Sequence, residues 1–189
     1  QQIVPNAMTG NILDENHADV LAVDTLNLSN SGIDDLTGIE HFVNATFLDI
    51  GGNGATALGA WPPALLHIRG NNNYFTLPPL PAGLQRLNIS FSNITTIPAL
   101  PSTLTLLRCR STWLNVLPAL PSGLDTLMCD YNLLTSLPPL PPSLSYLQCS
   151  GNEITALPPL PASLRWLSCT DGPLASVPAL PDSLEWLDV

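Results

Sequence analysis

Leucines recur every 20 residues through the second half of the chain, at Leu84, Leu104, Leu124, Leu144, Leu164 and Leu184, and in step with them at Leu87, Leu107, Leu127, Leu147, Leu167 and Leu187. Prolines keep the same register at Pro98, Pro118, Pro138, Pro158 and Pro178, and again at Pro101, Pro121, Pro141, Pro161 and Pro181. A period of this length constrains the fold more than any composition does. One unit cannot bury its apolar face alone, so stability has to come from stacking units on one another. Deleting one residue extends the register back through Leu65, Ile68, Asn73, Phe75, Leu77 and Leu80. Leu48, Ile50, Asn53, Leu58, Trp61 and Pro62 then match Leu147, Cys149, Asn152, Leu157, Leu160 and Pro161. A longer first unit holds Leu26, Leu28, Ile33, Leu36, Ile39 and Phe42, which makes about nine repeats, the last incomplete.

Within the unit from Leu144 to Ser163, Leu-Ser-Tyr-Leu-Gln-Cys-Ser alternates as a short strand does, and Gly151 and Asn152 follow at a turn. Alternation points Leu147 and Cys149 inward and Tyr146, Gln148 and Ser150 outward. The Leu-Pro-Pro-Leu-Pro return leg is no helix. Its prolines remove donors and push their predecessors to extended geometry, so the expected leg is polyproline II, anchored by Leu157 and Leu160. Twenty prolines would otherwise hint at disorder, but here they alternate with core-forming leucines.

The pattern Leu-x-x-Leu-x-Cys-x-x-Asn-x-Ile-x-x-Leu-Pro resembles the leucine-rich repeat, over roughly residues 22 to 189. Its Leu-Pro-x-Leu-Pro leg resembles the short bacterial type of exported effectors and surface proteins. The opening Ile33-Asp34-Asp35-Leu36-Thr37-Gly38-Ile39 is similar to the N-terminal part of bacterial surface repeat proteins. The resemblance implies a right-handed curved solenoid with one parallel concave β-sheet and polyproline-II convex legs. Residues 1–22 would be an N-terminal capping segment and 23–189 the repeat domain. The turn asparagine is present only at Asn53, Asn73, Asn132 and Asn152. Ser31, Ser92, Thr112 and Gly172 replace it elsewhere, so a broken amide ladder and local looseness are expected at those turns.

Charge narrows the function. Fifteen acids against five arginines and no lysine leave a net charge of -10, which argues against general nucleic-acid or anionic-membrane binding. No apolar run reaches the ~20 residues of a membrane span, and no signal peptide is visible. A start at Gln1-Gln2 without an initiator methionine reads as processed, in keeping with a secreted or cell-surface location. Val189 falls mid-strand, matching Cys169, so more repeats, a cap or a docked partner are expected beyond it.

Several residues look chemical. Cys109, Cys129, Cys149 and Cys169 fill one inward column spaced by ~4.8 Å per strand, which cannot converge on a tetrahedral zinc. They read as reduced, buried small hydrophobes in the places of Leu28, Ile50, Ile89 and Val189. Asp14, Glu15, Asn16 and Asp19 do not reproduce a calcium loop and read as a solvated cap. His17, His41 and His67 are scattered, and no nucleophile has a sequence-visible base, so the chain reads as no enzyme, without cofactor or metal. Gly51-Gly52-Asn53-Gly54 is a repeat turn rather than a phosphate loop. The sequons at Asn27, Asn44, Asn88 and Asn93 read as chance in an Asn- and Ser-rich chain. Trp61 belongs to the core, whereas Trp113, with Tyr74, Leu133 and Pro173, belongs to the rim.

The outward columns carry the functional reading. The first runs Thr25, Phe47, His67, Arg86, Leu106, Thr126, Tyr146, Trp166, Trp186. The second runs Asn27, Asp49, Arg69, Asn88, Arg108, Met128, Gln148, Ser168, Asp188, and the third Ser29, Gly51, Asn71, Ser90, Arg110, Asp130, Ser150, Thr170. Arg69, Arg86, Arg108 and Arg110 gather on neighbouring strands beside an aromatic stripe of Tyr146, Trp166 and Trp186; Arg165 begins the strand of Trp166. Such types are enriched at binding hot spots. With His67 and Met128 these residues form the candidate site for a protein or peptide partner bearing a local acidic patch. The competing reading is that the arginines only neutralise Asp49, Asp125 and Asp130 while the rings stack for sheet stability. The expected function is adhesion or service in a larger complex at a bacterial surface. A glycan-binding surface protein and the target-recognition domain of a secreted effector are the alternatives.

Overall fold

A computed structural model describes residues 8–9 and 12–189, with side chains from Asp14 onward. The Gln1-Gln2 start therefore lies outside the described residues. A short antiparallel pair, β1 (Met8–Thr9) with β2 (Ile12–Leu13), leads into a single helical turn, α1 (Ala18–Leu21). Nine three-residue strands follow: β3 (Thr25–Asn27), β4 (Phe47–Asp49), β5 (His67–Arg69), β6 (Arg86–Asn88), β7 (Leu106–Arg108), β8 (Thr126–Met128), β9 (Tyr146–Gln148), β10 (Trp166–Ser168) and β11 (Trp186–Asp188). They form one parallel sheet in chain order. Equivalent residues pair across it, as in Leu107↔Leu127 and Leu127↔Leu147. The solenoid is right-handed, the hand that parallel strands joined by a crossover take.

Each turn of the solenoid is built the same way. The middle residue of every strand from Leu26 to Leu167 is essentially inaccessible, and so are the cysteines two residues on. All four thiols are free and buried. On the return leg Leu117, Leu137 and Leu157 are buried, whereas Leu120, Leu140 and Leu160 are only partly covered, so the first leucine of each leg is the firmer anchor. Trp61 is buried and meets Phe75 edge-to-face at 6.0 Å, filling the earlier part of the core with aromatic volume. β11 is an edge strand, and its Leu187 is 41% exposed where Leu167 is fully covered.

The proline-rich return legs carry neither helix nor extended ladder, and only the first unit's leg, which has no proline, makes a 3-10 turn at Ile39–His41. The proline after the second leucine of each leg has a defined job: its carbonyl accepts the amide three residues on, as in Leu124 N–H to Pro121 O at 3.0 Å, which turns the chain into the next strand. Hydroxyls just after that turn reach back to the preceding unit. Thr103 donates to Leu84 O (2.8 Å), and Ser143, Ser163 and Ser183 donate to Leu124, Leu144 and Leu164 O at 2.7 Å each. Gly123 interrupts this row.

The turn ladder is more continuous than its asparagines alone predict. The Asn132 carboxamide accepts from Thr112 N and Leu114 N (3.0 Å each) and donates to Cys109 O and Cys129 O. Where asparagine is missing, a hydroxyl takes over part of its role. Buried Ser92 Oγ accepts from Asn73 N (3.2 Å), and buried Thr112 Oγ1 lies 2.9 Å from Cys109 O. The expected looseness at these two turns is thus corrected, because a hydroxyl both donates and accepts as an amide does, with shorter reach. Gly172 departs for a steric reason: a Cβ there would sit 2.7 Å from Asn152 O.

At the other end, Val20 of α1 is fully buried. His41 Nδ1 pairs with Glu15 Oε2 at 2.6 Å, and Asn44 Nδ2 donates to Leu21 O at 2.9 Å, tying residues 14–22 to the first repeat. The Asp14 carboxylate serves its own turn, accepting from Asn16 N. Among the described residues no group of three or more His, Cys, Asp or Glu is placed to hold a metal ion.

Candidate binding face

Strands three residues long set the geometry of the concave face. The two outward columns at positions one and three of each strand face away from the core, as alternation requires. The third column follows only in part. Ser29, Asn71, Arg110 and Thr170 stay partly exposed, whereas Ser90, Asp130 and Ser150 are buried, although the next residue is left-handed in every case. The buried side chains form a polar layer at the strand ends. Asp130 Oδ1 accepts Ser150 N (3.1 Å), Ser90 Oγ accepts Arg110 N (3.3 Å), and Ser150 Oγ accepts Thr170 N (3.0 Å).

The arginines divide into two classes. Arg69 lies 3.7 Å from Asp49 and over the Phe47 ring at 5.3 Å. Arg110 Nε lies 3.0 Å from Asp130 Oδ2, too oblique for a directed hydrogen bond, with the Asp130 side chain only 4% exposed. Neutralisation therefore holds for these two pairs but not for Asp125, which accepts from Thr126 and Ser145 hydroxyls. Arg86 and Arg108 are exposed and have no carboxylate within ion-pair distance among the described residues. Arg165 pairs with Glu185 at 2.7 Å on the surface. His67 stands edge-on to Phe47 at 6.3 Å, and burial, then Arg86 and Arg69, push its pKa down, so it is a neutral contact at pH 7. Burial holds the Asp130 carboxyl above its usual range, an effect that Arg110 and the Ser150 amide only partly offset.

The aromatic stripe is one continuous stack. Tyr146 and Trp166 lie 5.5 Å apart at 14°, and Trp166 and Trp186 lie 4.7 Å apart at 9°. Both faces of Trp166 are thereby covered, and Trp186 remains half exposed. The Trp166 indole Nε1 is buried without a hydrogen-bond partner among the described residues. Between the stack and Arg69, Arg108 pairs in register with Met128 and borders an open depression of ≈380 Å³ that reaches Arg110 and Phe91.

Sequence reasoning missed one feature beside this face. The first residue of the rim is left-handed in every unit from Asn30 to Asp171, and asparagine, glycine, serine or aspartate fills most of these places. Phe91 (φ 57°) and Tyr131 (φ 55°) stand there instead, 57% and 54% exposed, and Trp113 (φ 67°) is left-handed two residues after Ser111. Bulky residues rarely adopt this conformation. The signal was available as aromatics in a column of turn formers, but it needed the φ angles to be recognised as strain. Trp113, Tyr131 and Leu133 line a separate hollow of ≈240 Å³ on the rim.

No protein-family profile and no curated protein matches the sequence. Solved structures do. YopM from Yersinia enterocolitica WA-314 is 32% identical over 78% of this chain, which spans 42% of that protein, with a TM-score of 0.62. A Shigella effector LRR domain is 28% identical over 81% of this chain and 71% of its own length, with a TM-score of 0.73. The functional domain of InlJ from Listeria monocytogenes, described as including a cysteine ladder, shares the fold at 23% identity over 85% of this chain and 42% of its own length (TM-score 0.59).

Proposed function

We propose that this bacterial-type leucine-rich-repeat chain is a non-catalytic binding module that holds a protein or peptide partner on its concave face. The observation that carries this reading is the pair of exposed cations on adjacent strands, Arg86 on β6 and Arg108 on β7, which have no acid of their own among the described residues in a chain of net charge -10. Such a patch favours a partner with a local acidic region, since the rest of the surface repels one. The similarity to effectors of Yersinia and Shigella supports work outside the producing cell, whether in delivery to a host or at the bacterial surface. No helix among the described residues is long and apolar enough to cross a membrane. Burial pushes the Cys109 and Cys129 thiols up, which keeps them protonated and supports the non-catalytic reading. Within the proposed capping segment, Val20 of α1 closes the first repeat.

A protein fits the aromatic stripe better than a sugar does. Sugar rings stack on free aromatic faces, and here both faces of Trp166, the middle ring, are already covered, leaving edges and the outer sides of Tyr146 and Trp186. Hydrogen exchange on the complex with a partner captured from the native envelope tests the proposal. Slowed exchange is expected at the amides of β6 to β10. Protection confined to the rim or the convex legs contradicts it, and tight, selective binding on a glycan array contradicts the protein assignment.

A further inference from the structure

We propose that the depression beside Arg108 and Arg110 is a carboxylate-binding pocket that receives an acidic side chain of a peptide partner. The proposal rests on the concave-face reading and names the chemistry of one point within it. The polar atoms here present donors. Asn88 Oδ1 is already used in accepting Ser90 N (3.1 Å), and Ser90 Oγ in accepting Arg110 N (3.3 Å), so the Asn88 amide N–H₂ and the Ser90 hydroxyl hydrogen remain. Arg108 and Arg110 stand two residues apart along one chain segment, and both line the ≈380 Å³ space with Asn88 and Ser90. Two guanidinium groups and these two free donors line one space against few remaining acceptors, Asn71 Oδ1 among them, and such a balance of charge and donors favours an anion.

Two features narrow the anion to a carboxylate. Asp130 lies 3.0 Å from Arg110 Nε, a charge contact that draws the guanidinium to one side while its terminal nitrogens carry no hydrogen bond among the described residues. A pre-positioned guanidinium loses little freedom when it binds. Asp130 also cancels one of the two positive charges, which leaves a local balance of +1: matched to a monoanion, and poor for a phosphate dianion facing a buried carboxylate. The wall opposite is Phe91, exposed and left-handed, with Met128 at the strand end. Apolar walls strengthen a charged contact by excluding water and favour an acidic residue next to an apolar one.

The test is titration of the full chain, followed by NMR, with acetylated, amidated Gly-Phe-Glu-Gly and its Gln counterpart at low ionic strength. The Glu peptide should shift Asn88, Ser90, Arg108 and Arg110, and bind about tenfold or more tighter than the Gln peptide. Arg108→Gln should erase that preference without unfolding the protein, since Arg108 is exposed, and Arg165→Gln, which removes the surface partner of Glu185 outside the depression, should keep it. Equal binding of the two peptides, no shift at roughly millimolar Glu peptide, or tighter binding of a phosphoserine peptide or an oligogalacturonate overturns the proposal. If the Glu peptide fails while the native partner still protects β6 to β10, this inference falls alone. If the peptide binds while the partner ignores that face, the pocket stands and the proposed function falls.

Discussion

Two residues show how conformation and electrostatics oppose burial at this surface. Phe91 holds a left-handed backbone that costs a side chain bearing a Cβ roughly 1–2 kcal/mol, a penalty that asparagine, the residue at Asn30 and Asn72, largely escapes. Phe91→Asn should therefore be more stable than Phe91→Val by about 1 kcal/mol in urea unfolding, although valine is the more apolar. Equal stabilities, or valine ahead, would mean that packing and not backbone strain governs the site. Asp130 is strained electrically. Because burial raises its folded pKa above the unfolded value of ~3.9, the native state binds this proton more readily than the unfolded chain. Its contribution to stability is complete below the unfolded pKa and is lost as pH rises through the folded one. Compared with Asp130→Asn, the wild-type protein should be relatively more stable near pH 4 than at pH 7, as measured by paired denaturant curves. A difference that grows with pH would show that Arg110 outweighs desolvation.

Each repeat is held by side chains that satisfy the backbone of neighbouring units, and these contacts differ in weight. Asn132→Ala would leave the buried amides of Thr112 and Leu114 without an acceptor, while Cys109 O and Cys129 O keep Thr112 Oγ1 and Asn152 Nδ2, so thermal or denaturant unfolding should show a loss of about 3 kcal/mol. Ser143→Ala removes one hydroxyl that bridges two units and should cost about 1 kcal/mol. Comparable losses from both changes would contradict the ladder account. The repeat, the central leucines and the first two outward columns were legible because a 20-residue period and a two-residue alternation leave little choice. The third column was legible only in part, since Ser90, Asp130 and Ser150 turn into a strand-end layer through contacts with the neighbouring unit that alternation does not foresee. Nor could the spacing show that Ser92 and Thr112 carry on the work of asparagine, which depends on hydroxyl rotamers. The hydroxyl row at Thr103, Ser143, Ser163 and Ser183 was visible as a column of small polar residues, but its partners lie in the preceding unit and emerge only on stacking.

At the scale of the molecule, stacking turns short, repetitive sequence into one long sheet whose outward residues form a surface no single unit possesses. Along that surface lie paired Arg69, unpaired Arg86 and Arg108, the Met128 strand and then the three-ring stack. Charge and apolar area therefore sit side by side over seven strands, β5 to β11, the arrangement of a hot-spot region with its rim. Trp186 is the best single probe of the apolar end, because it is half exposed and its loss leaves Tyr146 stacked on Trp166. The most direct measurement is the affinity of the native partner for four folded variants: Arg108→Glu, Trp186→Ala, the rim change Trp113→Gly and the convex change Pro139→Ser. Concave-face binding predicts that Arg108→Glu weakens the complex and reduces its salt dependence, and that Trp186→Ala costs about 2 kcal/mol. The rim and convex changes should leave affinity within about 0.5 kcal/mol of the wild type. Full affinity in both concave variants, with binding lost in Trp113→Gly, would place the partner on the rim and contradict the account.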